Sequence, residues 1–91
     1  MKYLVYMLLS QHKNKIYTYV GFTNNLKRRL YKHNNSKGAK FTKGRKWKLI
    51  YYKKYKNKID AMKNEYRLKN NYSLRKKLKN IFYENINSIT I

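Results

Sequence analysis

Glu65 is one of three acidic residues set among twenty-four lysines and arginines in a chain of 91 residues with a formal charge of +21. It falls on an i, i+4, i+7 stripe with Ala61 and Leu68, the inward face of a helix. A lone carboxylate in so basic a setting is suited to holding a divalent cation against a polyanion. A magnesium ion bound by one carboxylate keeps most of its waters and takes phosphate oxygens as further ligands. Arg29 and His33 stand four apart, so on a helix they share a face. A guanidinium opposite a metal would stabilise from two sides the charge that develops as a phosphodiester is cleaved.

Composition points to the same kind of partner. The richness in Lys, Asn, Tyr and Ile fits an AT-rich coding sequence of viral or bacterial origin, which alone could raise the lysine content. It does not account for the scarcity of Asp and Glu, so the imbalance reads as selected for nucleic acid. Lysines occur in every segment and form no basic helix with a separate apolar face, which argues against a membrane-surface peptide. The chain has no cysteine, excluding disulfides and thiolate metal sites. The apolar run over residues 4–9 is far shorter than the ~20 residues that span a bilayer, and no small-residue cleavage site follows it. The expectation is a soluble intracellular protein, in cytoplasm or nucleus.

These residues need a frame, and the pattern predicts an α+β one. Residues 3–9, apolar on both alternating faces, read as a central strand covered on two sides. A polar turn over 10–15, about six residues, leads to a second strand over 16–20 that Gly21 ends. Asn24 or Asn25 caps a helix carrying Leu26 and Leu30, and residues 34–38 stop it. Residues 37–48 form an exposed loop or short helix near phosphate, anchored by Trp47. A third strand over 49–55 precedes a helix begun by Asn57 and Asp60. The last helix spans about 73–83, with Leu74, Leu78, Ile81 and Phe82 on one side. Residues 1–91 make one domain, with 83–91 a tail of unsettled order; from Glu84 it alternates apolar and polar residues, as a short strand or a frayed end would.

The order of residues resembles the GIY-YIG nuclease superfamily: Leu4-Val5-Tyr6, then Tyr19-Val20-Gly21, then Arg29 with His33, and finally Glu65. The surroundings are similar to the catalytic subunit of Slx-type structure-specific endonucleases. That likeness is carried by Thr18, Phe22, Thr23, Arg28, Asn34, Gly38, Ala39, Thr42, Gly44, Arg45, Trp47 and Ala61, and covers roughly residues 3–70. Leu4 replaces the glycine of the first motif and Val20 the isoleucine of the second. Where many relatives place an asparagine after the glutamate, Lys77 stands here, with Asn70, Asn71 and Asn80 as candidate replacements. The cysteine-rich zinc domain of Slx-type subunits has no counterpart here, so their need for a partner scaffold does not carry over.

The resemblance implies a small three-stranded antiparallel sheet flanked by helices, and Mg²⁺-dependent hydrolysis of phosphodiesters by activated water, with Mn²⁺ able to substitute. By the same resemblance Tyr6 is the general base or orients the water, and Tyr19 positions the scissile phosphate or assists the proton transfer. Arg29 neutralises the phosphate, His33 bonds a phosphate oxygen or its neighbour, and Glu65 is the only protein ligand of the metal. Tyrosine is a poor base at its free pKa near ~10, so help from a nearby cation is expected, with lysines abundant.

Each residue also has a plainer role. Tyr6 and Tyr19 are two of eleven tyrosines and could be ordinary strand residues, and Gly21 a turn residue. Arg29 could be one more solvated charge, His33 a helix C-terminal residue bonding carbonyls, and Glu65 a structural partner for a lysine. Ninety-one residues leave no room for a separate recognition domain, so backbone charge and shape are expected to govern DNA binding. The candidate DNA-binding residues are Lys27, Arg28, Lys40, Lys43, Arg45 and Lys46. Branched, flapped or nicked DNA is the expected substrate, in repair or recombination, cut by a monomer or weak homodimer. The rival readings are a non-catalytic basic nucleic-acid-binding module and an inactive member of the nuclease family.

Overall fold

The computed structural model describes residues 2–90, and the side chains of residues up to 85. Strand β1 (Tyr3–His12) is the centre of a three-stranded sheet of order β2-β1-β3, antiparallel to both β2 (Lys15–Thr23) and β3 (Lys48–Tyr55). A central strand must be apolar on both faces, and in β1 Val5, Tyr6, Met7, Leu8 and Leu9 are all buried. This is the α+β arrangement expected, with helices α1 (Leu26–Asn34), α2 (Lys58–Lys69) and α3 (Tyr72–Thr90) around the sheet. Among the described residues no helix is long and apolar enough to cross a membrane.

Register divides the sheet into two faces, because residues paired across an antiparallel ladder point the same way. Met7 opposite Val20 and Tyr51, and Val5 opposite Phe22, belong to the apolar face. There they pack with Ala61 and Leu68 of α2 and Leu78 of α3. Tyr6 opposite Gly21 and Leu8 opposite Tyr19 belong to the other face. A register shift after Met7 inserts Ile50 as an extra residue in β3.

Three sequence expectations are corrected. The β1–β2 connection is not a six-residue loop but a two-residue turn, Lys13 and Asn14, at φ 49° and 65°. Positive φ at both central residues matches the right-handed twist of the flanking strands, and asparagine tolerates it. Gly21 does not end β2, which continues to Thr23; the glycine is there because Tyr6 lies over it, and a Cβ would meet the Tyr6 hydroxyl at 2.5 Å. The tail is not a strand, since α3 extends to Thr90. Adding a residue to an existing helix costs far less than starting one, and no glycine or proline follows Gly44 to stop it. Ile91 lies outside the described residues.

The caps fall on asparagines. Asn25, rather than Asn24, caps α1 by accepting from the Arg28 amide at 3.1 Å, and Asn57 caps α2 by accepting from Asp60 at 2.8 Å. Between α1 and β3 the chain forms one 3₁₀ turn, Lys40–Thr42. Trp47 anchors that segment as expected. Its backbone N–H donates to Asn34 Oδ1 at 2.6 Å, Asn34 Nδ2 donates back to the Trp47 carbonyl, and its indole N–H donates to the Thr42 carbonyl.

Candidate active site

Tyr6 is fully buried at the middle of β1, and the loss of solvent is what gives its hydroxyl a directed role. Arg29 Nε donates to the Tyr6 oxygen at 3.3 Å, and that oxygen lies 2.9 Å from His33 Nε2. On the other side of the fully buried imidazole, Nδ1 lies 2.9 Å from Thr42 Oγ1, whose proton goes to the Ala39 carbonyl at 2.7 Å. The donors fix the tautomer. Thr42 spends its hydrogen on Ala39, so it accepts from Nδ1–H; Nε2 is then bare and accepts the Tyr6 proton. The result is a one-way chain of donors from Arg29 through Tyr6, His33 and Thr42 to the backbone.

Local sequence makes this possible. Arg29 and His33 are one helical turn apart on α1, so both side chains reach the same phenol. Gly38 lets the following loop close over the imidazole, since a Cβ there would stand 2.5 Å from His33 Nδ1. Tyr19 comes from β2, its ring centroid 4.9 Å from that of His33 and 6.4 Å from that of Tyr6.

Burial pushes the Tyr6 phenol up to about 12, outweighing the opposing hydrogen bond and charge of Arg29. A neighbouring cation does lower it, as expected, but that cation is Arg29 rather than a lysine, and desolvation outweighs it so that the net shift is upward. Burial first, and then the Arg29 charge, push His33 down to about 4, so it is neutral at neutral pH. The bond to Tyr6 chiefly raises the Arg29 guanidinium above its ordinary value. Both His33 nitrogens have side-chain partners. Neither bonds a helix carbonyl.

Glu65 sits on the α2 stripe between buried Ala61 and Leu68, as expected. Its carboxylate is close enough for its charge to contribute to the rise at Tyr6. It pairs with Lys69 Nζ at 3.3 Å, one turn on, with its side chain 16 % exposed. Among the described residues no cluster of three or more His, Cys, Asp or Glu could hold a metal ion. A single carboxylate can still be reached by a cation, which would have to displace the Lys69 ammonium from it. One carboxylate is the donor set that a hard cation keeping most of its waters would need.

The six cations singled out for DNA are dispersed. Lys27 and Arg28 are exposed on α1, where Arg28, Arg29 and Lys32 line a cleft of about 180 Å³ with Thr23 and Asn25. Lys40 and Lys43 are exposed at the two ends of the 3₁₀ turn, and Lys46 borders a separate cleft with Leu9 and Phe82. Arg45 lies over the Tyr17 ring at 4.1 Å. Asn70 closes α2, and Asn71 caps α3 by accepting from Leu74, so these two have structural work; Asn80 is exposed on α3. Sequence reasoning passed over Lys69 and Arg75, which line a cleft with Tyr19, and the exposed ring of Phe41 beside them. Lys69 was findable as the i+4 partner of Glu65, and Phe41 as an aromatic residue within a basic run.

Comparison with known proteins identifies the family. Residues 2–80 match the GIY-YIG catalytic domain. The UPF0213 protein of Oceanobacillus iheyensis is 52 % identical over 52 residues, 56 % of this chain and 60 % of that protein. That of Clostridium perfringens is 48 % identical over 56 % of each. The chain thus spans less than two thirds of the length of these relatives, while the match to a Staphylococcus epidermidis UPF0213 protein, 44 % identical, covers 69 % of this chain and 77 % of that one. The solution NMR structure of the UPF0213 protein BH0048 from Bacillus halodurans is 31 % identical, covering 89 % of this chain and 85 % of that one with a TM-score of 0.48. With residues 2–80 matched, most of its length, the chain belongs to the GIY-YIG catalytic domain family, a family of nucleases.

Proposed function

We propose that this protein is a metal-dependent endonuclease that nicks DNA by hydrolysing a phosphodiester bond. The observation that carries the reading is the Arg29–Tyr6–His33 chain, two side chains one turn apart on α1 hydrogen-bonded to one phenol from β1, with Tyr19 packed against His33. A water attacking phosphorus passes its proton to the Tyr6 oxygen as the Tyr6 proton moves to His33 Nε2. The phosphorus–oxygen bond to the leaving group breaks, and that oxygen takes a proton from solvent. Tyr6 is never a free phenolate, so its high proton affinity is no obstacle.

Burial, the larger cause of the low His33 value, remains when substrate binds, but the smaller one does not. The Arg29 charge is one of the two causes that hold it down, and a phosphate neutralising Arg29 removes that cause. Glu65 would hold Mg²⁺, or Mn²⁺ in its place; when bound, the ion supplies Lewis-acid stabilisation of the phosphate's developing charge. Branched, flapped or nicked DNA is the proposed substrate class, on the likeness to Slx-type subunits and on a charge of +21 that favours backbone contacts over base reading.

A nicking assay on supercoiled plasmid and on branched DNA tests this, comparing wild type with Glu65→Ala and Arg29→Ala in the presence of Mg²⁺. Loss of one strong donor aimed at the developing charge should slow nicking by about 10²–10³-fold. Equal cleavage by all three proteins would remove the proposed site. Absence of cleavage by wild type, with DNA still bound, would leave a basic binding module.

A further inference from the structure

We propose that Phe41 and Tyr19 form a stacking subsite for one unpaired nucleotide of the DNA strand, beside the scissile phosphate. This rests on the nuclease reading above for its position, and on a separate cleft for its chemistry. Phe41 is 47 % exposed although it belongs to the most aromatic region of the molecule. Its ring is stacked on Tyr19, with centroids 6.4 Å apart and planes tilted by 21°. Trp47, buried beneath, contacts both rings from 6.1 and 6.5 Å. The Arg45 guanidinium lies 5.1 Å from the Phe41 centroid and donates to the Phe41 carbonyl at 2.6 Å, so the ring is held rather than free to turn inward.

The cleft that Phe41 and Tyr19 border encloses about 330 Å³ and is completed by Thr18 and Val20 of β2 and by Lys69 and Arg75. One wall therefore offers the exposed part of the Phe41 ring and another offers two cations. A nucleotide has matching parts, a flat base to stack and a phosphate to neutralise. Arg75 also donates to the carbonyls of Leu68 and Lys69, which fixes its charge at the end of α2. Two residues join the cleft to the catalytic cluster. Tyr19 packs on His33, and Lys69 pairs with Glu65, so a nucleotide stacked here has its backbone next to the reacting centre.

The state of the nucleotide follows from the geometry of stacking. A base inside a duplex already has both faces covered by its neighbours, whereas an unpaired one at a flap, gap or branch has a face to give. Base–aromatic stacking is indifferent to sequence, because every base has a π face. Phe41 would thus select DNA by the availability of a base, not by its identity. This gives a physical basis for structure preference that needs no direct base reading.

Binding measured without divalent metal separates this subsite from catalysis. Fluorescence anisotropy would compare wild type, Phe41→Ala and Phe41→Tyr on a labelled duplex and on the same duplex carrying a single-stranded flap. Phe41→Ala should lose on the order of tenfold affinity for the flapped DNA and keep its duplex affinity, with Phe41→Tyr restoring the difference. An equal loss on both substrates, or none on either, would overturn the subsite. Circular dichroism melting of each variant identifies a loss due to unfolding, in which case Phe41→Leu, apolar but without a π face, replaces alanine. If flap discrimination depends on Phe41 but wild type fails to nick with Mg²⁺, stacking stands and the nuclease reading falls. Nicking without Phe41-dependent discrimination gives the converse.

Discussion

The two faces of the sheet solve opposite problems with the same central strand. Val5, Met7, Val20, Ala61 and Leu68 fill one face with hydrocarbon, where stability rises with apolar area removed from water. The other face buries Tyr6, His33 and Thr42 completely, three polar side chains whose cost is met only because each hydrogen bond finds its partner. The first face tolerates exchange of similar volumes, but the second depends on every member of the chain. Strand β1 changes role with every residue: odd positions hold the fold together and Tyr6 serves the site.

The comparison breaks most visibly by substituting one residue on each face. Leu68→Ala should cost about 2–5 kcal/mol of unfolding free energy, the range for a buried leucine, measured by urea denaturation. Whatever protein remains folded should nick DNA at a nearly wild-type rate. Gly21→Ala should do the reverse at the site, since its new Cβ must displace the Tyr6 ring end, a rigid group with no room to move. Nicking should fall at least tenfold, with a smaller change in stability than Leu68→Ala produces. If Leu68→Ala instead damages the rate of the folded fraction, the two faces are coupled rather than divided.

A pH titration of stability sharpens the contrast, because only the polar face contains a shifted histidine. His33 has a folded pKa of about 4 against an ordinary value of 6.5, so between those values the unfolded chain binds a proton that the folded chain refuses. Its contribution is fully present above about 6.5 and is lost as pH falls toward 4. Urea midpoints should decline through that window, and His33→Gln should flatten the decline while lowering stability at neutral pH. An unchanged slope in the variant would place the acid sensitivity elsewhere.

What the sequence disclosed follows the same division. The core was legible from local pattern, since the continuous apolar run of β1 marks a strand covered on both faces and the spacing of Ala61 and Leu68 marks the inward stripe of α2. The five candidate residues were legible only as an ordered motif, because none has a local signal that separates it from a solvated charge or a strand tyrosine. Thr42, which fixes the His33 tautomer, was recognised as part of a resemblance without its role, for that contact spans nine residues across a turn closed by Gly38. The Lys13–Asn14 turn was missed because lysine seldom takes positive φ, so twist matching overrode local preference. The end of α3 was missed because the alternation after Glu84 has the period of a strand, and nothing in a period registers the ease of prolonging a helix.

The smallest expected effect concerns Lys69, which stands where the two faces meet. Its side chain is nearly half exposed and its ammonium pairs with Glu65 at 3.3 Å, so it competes with any cation for the same carboxylate. An i, i+4 pair on a helix surface is worth about 0.3–0.5 kcal/mol, which corresponds to roughly a twofold change in an equilibrium constant. Lys69→Gln should therefore bind Mn²⁺ about twofold more tightly, read by electron paramagnetic resonance of the free ion in the absence of DNA. Removing one positive charge near the ion acts in the same direction, and salt should narrow the difference because the pair is partly exposed. The same substitution takes a cation from the cleft beside Tyr19, so DNA affinity should fall as metal affinity rises. Metal affinity that stays constant or weakens in Lys69→Gln would show that Glu65 is not where the cation binds.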